Sequence, residues 1–340
     1  MVVPVSRITL PHFSESSRMA CSISSGVEAM ICIPWGVSAA TILGFAAAFL
    51  ISWESRTTIA AGVLAGAYMF FVLCPSIIYT LGFDAHSYWG FPRPDLYAGT
   101  AAANGMGVYR YAPVFAPLLE LFSRLDWSTF AVLWLALLVA TSMWLAGRWW
   151  LLALAFPPLI FEFYMGNIHL LLAAAIVIGF RYPVTWSFVL LTKVTPGVGL
   201  LWFAVRREWR SLAIAVGATV AVVAAGLLLA PDTWNAWFAS LAGTADATGS
   251  NHVPIPLLVR LPVAALVVIW GARTDRRWTV VVAATIGLPT LWTHGFALLL
   301  GAIPLLDPAW ATRSPAARLR ARLVTLTAGR RHPAASQVPA

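Results

Sequence analysis

Apolar runs of about 20 residues, each long enough to cross the hydrocarbon core of a bilayer, recur along most of this chain. They fall at 33–53, 58–81, 129–147, 149–164, 168–180, 184–205, 211–230, 256–271 and 278–306. Charged residues make up only 10% of the 340 positions, against about 25% in soluble domains. Such a chain cannot cover its own surface with polar groups. The pattern predicts an all-α integral membrane protein, a polytopic helical bundle.

Two of the runs are interrupted. That at 184–205 holds Lys193 and Pro196 at its middle, and that at 278–306 holds Pro289, His294 and Gly295. Lipid tolerates a polar break of this kind only where it faces protein or a water-filled cavity. Each run therefore reads as two short helices meeting at a break, which brings the expected number of spans to about eleven.

The net charge of +9 is unevenly distributed. Arginines group at Arg206, Arg207 and Arg210, at Arg273, Arg276 and Arg277, and at Arg313, Arg318, Arg320, Arg322, Arg330 and Arg331. A nucleic-acid binder spreads basic charge over a folded surface, so no nucleic-acid partner is expected. Clusters that flank apolar spans instead mark cytoplasmic loops. This orientation puts loops 82–128 and 231–255 outside, together with the breaks near Gly166–Asn167, Lys193–Pro196 and Trp292–His294. The organisation expected is a polar, disordered tail at 1–32, a multi-span membrane domain at 33–306 and an Arg-rich cytoplasmic tail at 307–340. The location expected is the plasma membrane.

The first 29 residues lack the basic start, short apolar core and small-residue cleavage site of a signal peptide. Met30 is an alternative start. The cysteines Cys21, Cys32 and Cys74 show neither metal-ligand spacing nor a disulfide framework. Within 82–128, the stretch Pro113 to Asp126 reads as a helix lying along the membrane interface, with proline at its first turn. The run Asn104-Gly-Met-Gly is not a phosphate loop, because no strand precedes it.

Ionisable and polar residues away from span ends are the candidates for chemistry. Asp84 follows an apolar span directly, in Phe83-Asp84-Ala85-His86. A carboxylate there suits a general base acting on a hydroxyl; the alternative is a solvated residue capping the next helix. Lys193 is the only lysine in the chain and lies inside an apolar run. Intramembrane cations usually face a functional cavity, and an ammonium holds phosphate as a point charge; the alternative is a snorkelling side chain. His294, Asn167, Glu162 and Arg110 are each open to a structural or a functional reading. Taken jointly, Asp84, Arg110, Asn167, Lys193 and His294 fall on one outer face. One carboxylate with several cations suits a base and a clamp for an anionic leaving group, with no metal signature and no cofactor.

The order of several short motifs resembles glycosyltransferase family 87, membrane enzymes of the C-type fold related to polyprenyl-phosphate-mannose-dependent mannosyltransferases. The motifs are Phe83-Asp84…Tyr88, Tyr111-Ala112-Pro113, Pro157-Pro158 leading to Gly166-Asn167, Lys193-x-Thr195-Pro196 leading to Arg206-Arg207-Glu208-Trp209-Arg210, and Trp292-x-His294. Two departures stand out: the family more often has two prolines after the tyrosine at 111, and the span 33–53 is extra. The resemblance implies that Asp84 is the catalytic base and that His294 lines the same site. It places Lys193 and Asn167 near the lipid-phosphate donor, and Arg110, Tyr111 and Thr195 with them. It further implies a polyprenyl phosphate sugar as donor, a glycolipid or glycan of the cell envelope as acceptor, and mannose as the sugar. The competing reading is a transporter or lipid flippase with a polar mid-membrane site.

Overall fold

The computed structural model describes residues 56–77, 81–90, 96–97, 109–243, 253 and 255–306. The tail 1–32, the span 33–53, the Arg-rich tail, Cys21, Cys32 and the Asn104 run lie outside the described residues. Among the described residues every regular element is helical. The longer helices are α1 (Arg56–Tyr68), α2 (Ala116–Phe122), α3 (Trp127–Ala146), α4 (Pro157–Met165), α5 (His169–Gly179), α6 (Trp186–Thr192) and α7 (Leu201–Val205), followed by α8 (Trp209–Leu229), α9 (Pro231–Gly243), α10 (Leu257–Arg273) and α11 (Trp278–Ile286).

Two stretches, Trp127–Ala153 and Trp209–Leu229, are individually long and apolar enough to cross a membrane. On α8 only Ala215 is buried, and Leu228 and Leu229 are more than four-fifths exposed. A helix apolar all round and packed along one narrow strip belongs in lipid. The chain is an all-α membrane protein, as its sequence implies.

Both interrupted runs break where expected. The first is α6, then a 3-10 turn at Thr195–Leu200, then α7; the second is α11, then a 3-10 stretch at Thr293–Ala302. A third break was legible only as a polar dipeptide. Helices α4 and α5 meet at Gly166–Ile168 and turn through 111°. One expectation needs correction. The helix expected over Pro113–Asp126 ends at Phe122, and Asp126 belongs to the next element as the N-cap of α3. Its carboxylate accepts hydrogen bonds from the Ser128 hydroxyl and from Thr129, which hold its pKa down at about 2.

The two basic clusters meet at one end of the bundle. Arg206 pairs with Asp275 at 2.9 Å and donates to the Ala272 carbonyl, and Arg277 stacks over Phe180. From this end α5, α6, α7 and α11 extend inward and stop. At the rise of a regular helix the 11 residues of α5 cover about 16 Å, while the 21 of α8, starting at the same end, cover about 32 Å. The breaks therefore gather about half a membrane's depth from the basic end. They share one side of the short helices.

Half-length helices leave main-chain groups without partners inside the bundle, where each costs free energy comparable to a lost hydrogen bond. Arg260 answers this at the second break. Buried on α10, its guanidinium donates to the carbonyls of Ile255, Ile286, Leu288 and Pro289 at 2.6–2.9 Å. It ties the end of α11 to α10 and fixes the start of the segment carrying His294. Arg260→Met keeps the bulk and strands the carbonyls, and is expected to destabilise the fold by about 2–4 kcal/mol. Thermal unfolding in detergent measures this; an unchanged midpoint excludes the role.

Candidate active site

Three segments converge where the breaks meet. The first is the turn at 81–90, docked on the end of α4 by Gly82 N–H to the Tyr164 carbonyl (2.8 Å) and Asp84 N–H to the Met165 carbonyl (2.9 Å). The second is the reversal between α4 and α5. Gly166 there has φ +70°, and a Cβ on it would lie 2.7 Å from the Ala85 Cβ. Glycine supplies both the left-handed conformation and the close approach. The Gly166 carbonyl accepts from Trp134 Nε1 at 2.8 Å, which pins the reversal to α3. The third segment, from Trp292, lays His294 against the other two.

Asp84, Asn167 and His294 come together here. Asn167 Nδ2 donates to Asp84 Oδ2 at 2.7 Å, while its Oδ1 accepts from the Ile168 N–H at 2.7 Å. The two bonds fix the orientation of the amide. His294 Nε2 lies 3.4 Å from Asp84 Oδ2 and 3.5 Å from Asn167 Nδ2, both long contacts. The Asp84 side chain retains 24% of its exposure. It does not cap the following helix, whose N-cap Ala85 has no side-chain bond.

Lys193 reaches the same turn by another route. Its Nζ lies 2.9 Å from His169 Nε2. His169 Nδ1 is 2.9 Å from Glu162 Oε2, and Glu162 Oε1 accepts the His169 main-chain N–H at 2.7 Å. Glu162 and His169 have no exposed side-chain surface. The rings of His169 and His294 are 5.3 Å apart. Glu162 and His169 were visible in the sequence only as two polar residues near Asn167. Their signal is the pair of carboxylate and histidine flanking a glycine that ends a helix.

Arg110 and Tyr111 stand at the edge of the cluster, docked by the Ala112 N–H on the Leu191 carbonyl (3.1 Å). The Tyr111 hydroxyl lies 2.9 Å from that of Tyr88. Arg110 sits within electrostatic range of Tyr111 and Lys193. The Thr195 hydroxyl is buried without a hydrogen-bond partner among the described residues.

Glu162, His169 and His294 offer ligand atoms within 4.8 Å of one another, enough to hold a metal ion. Both ring nitrogens of His169 are already engaged, one by Glu162 and one by the Lys193 ammonium. A metal at that nitrogen has to displace a cation, so the donor set is better matched to a hydrogen-bonded chain. What remains accessible is a tethered carboxylate on one side and an ammonium on the other.

Residues 109–329 match the family model of glycosyltransferase family 87. The chain belongs to that family. It is a membrane glycosyltransferase, moving sugar from a donor to an acceptor, and the carrier reading is set aside. The family 87 match includes Arg110, Tyr111, Glu162, Asn167, His169, Lys193 and His294; it begins after Asp84. No characterised protein and no solved structure shows significant similarity to the chain.

Gly166 is the local requirement of this site. Gly166→Ala forces a side chain into the left-handed region at about 1–2 kcal/mol, before any overlap with Ala85 is relieved. The expected outcome is a lowered melting midpoint together with reduced sugar transfer; full retention of both rules out the tight reversal.

Proposed function

We propose that this family 87 enzyme transfers a sugar from a polyprenyl phosphate donor to a hydroxyl of a lipid or glycan acceptor, with inversion and with Asp84 as base. The observation that carries the reading is the contrast between the two carboxylates of the cluster. Asp84 is held by one amide and keeps an accessible oxygen, whereas Glu162 is fully buried with both oxygens engaged by His169. Only Asp84 is placed to meet a substrate.

In the step proposed, the acceptor hydroxyl passes its proton to Asp84 as its oxygen bonds to the anomeric carbon. The bond from that carbon to the phosphate oxygen breaks, and polyprenyl phosphate leaves with the electron pair. A retaining double displacement needs a carboxylate nucleophile as well as an acid–base group, and Glu162 is closed off from that part. Lys193, with Arg110 nearby, stabilises the negative charge that develops on the leaving phosphate. His294 lies against Asp84, its Nε2 3.4 Å from Asp84 Oδ2. Asn167 fixes the carboxylate, and Tyr111, beside Arg110, borders the donor side.

A lipid-borne donor fits a site reached at half-membrane depth, where the phosphate meets the cluster while its chain stays in lipid. The positive-inside rule assigns the arginine end to the cytoplasm, so the site opens to the outer side of the plasma membrane. Mannose is proposed as the sugar, and the acceptor as a cell-envelope glycolipid or glycan. A β-linked mannosyl phosphate then gives an α-mannoside.

Membranes containing the protein, supplied with radiolabelled polyprenyl phosphate mannose and a glycolipid extract, test the reading directly. Wild type moves label into glycolipid, and Asp84→Asn loses about 10²–10⁴-fold in rate, the usual weight of a general base. Full activity in Asp84→Asn excludes the base assignment. Absence of transfer from any polyprenyl phosphate sugar excludes the donor class. The anomeric configuration of the product is the further check: β-linked product from β-linked donor contradicts inversion.

A further inference from the structure

We propose that buried Glu162 and His169 form a positioning relay that sets the tautomer of His169 and thereby aims the Lys193 ammonium at the donor phosphate. The inference rests on the donor reading above and concerns two residues that touch neither substrate.

Lys193 Nζ carries only hydrogens, so its 2.9 Å contact requires a lone pair on His169 Nε2. The ring proton of a neutral His169 must then sit on Nδ1. Nδ1 faces Glu162 Oε2 at 2.9 Å, and an ionised carboxylate accepts and cannot donate. The other oxygen, Oε1, is taken by the His169 main-chain N–H at 2.7 Å, so the carboxylate cannot turn away. With Lys193 as an ammonium and Glu162 ionised, each contact permits one assignment, and the three agree. The chain ends on an ammonium with one hydrogen committed to His169 and the others left for an anion.

Lys193 is half-buried on a break between helices, at the end of a flexible stem. A lysine so placed has many rotamers, and fixing one of them ahead of binding lowers the cost of ordering it around a phosphate. Among the described residues no carboxylate forms an ion pair with Lys193. Among the described residues its charge is therefore not spent on a carboxylate, and His169 holds it by a neutral acceptor.

Glu162→Gln is the informative change, because it alters one atom type without altering shape. The His169 main-chain N–H needs an acceptor, so the Gln oxygen takes the Oε1 position and its NH2 faces Nδ1. Nδ1 must then accept, the ring proton moves to Nε2, and two donors meet at Lys193. Binding of polyprenyl monophosphate to the full chain in nanodiscs is expected to weaken about tenfold, the weight of one hydrogen bond to a charged group. The donor KM rises with it, while the acceptor KM does not. Adding His169→Gln to Glu162→Gln restores binding to within about threefold of wild type, because a glutamine amide oxygen stands near the former Nε2 and needs no tautomer.

Wild-type affinity in a folded Glu162→Gln protein overturns the relay while leaving the donor reading intact. Failure of wild type to bind polyprenyl monophosphate overturns the donor reading and the relay together. Should Glu162→Gln not fold, His169→Gln and His169→Leu decide in its place, both with Glu162 present. Retention by Gln and loss by Leu supports the relay; equal binding by the two overturns it.

Discussion

One buried carboxylate closes the bend on which the polar cluster is built. Glu162, in the last full turn of α4, accepts the main-chain N–H of His169 in the first turn of α5 and lies 2.9 Å from its ring Nδ1. The first N–H groups of a helix have no partner within it, and deep in a bundle there is little water to serve. Glu162 satisfies one of them and fixes a side chain with the same group. Without it the 111° turn at Gly166 leaves a helix start unpaired at a depth where unpaired polar groups are most costly.

The same requirement recurs at every break and is met by a different residue each time. Trp134 donates to the Gly166 carbonyl, Ala112 donates to the end of α6, and Arg260 gathers carbonyls at the end of α11. Irregular main chain at membrane depth is viable only when protein supplies its hydrogen bonds. Each partner is itself held by a neighbouring helix, so the breaks stabilise one another. Half-helices therefore exact a hydrogen-bonding cost and offer in return a protein-lined space at half-membrane depth into which side chains project.

The sequence made the two interrupted runs legible because their breaks carry their own signals. Lys193, Thr195 and Pro196 are polar or helix-ending residues inside one apolar run, and Pro289 and His294 play that part in the other. The encounter of Asp84, Asn167 and His294 followed from placing all the breaks on one side, together with the family resemblance. The pairing of Glu162 with His169 was not legible, since it depends on the angle between two helices, which spacing along the chain does not encode. Arg260 also lies inside an otherwise apolar run, where an arginine is as costly as Lys193 and marks a buried partner in the same way. The early end of the helix after Pro113 had a local cause in Asp126, whose side chain competes as an N-cap for the helix that follows.

The reversal into α5 also explains how a carboxylate and a cation coexist close together. At half-membrane depth a carboxylate and an ammonium in direct contact attract strongly, and an ion pair of that kind withdraws both groups from any substrate. Here Asn167 holds Asp84 and His169 holds Lys193, each through a neutral side chain, and the two holders are two positions apart in the chain. The two charged groups are thereby held by separate neutral partners. In the transfer proposed, the acceptor proton moves toward Asp84 while negative charge grows on the phosphate beside Lys193. A change that lets Asp84 and Lys193 meet directly therefore lowers transfer even though both charged groups are still present.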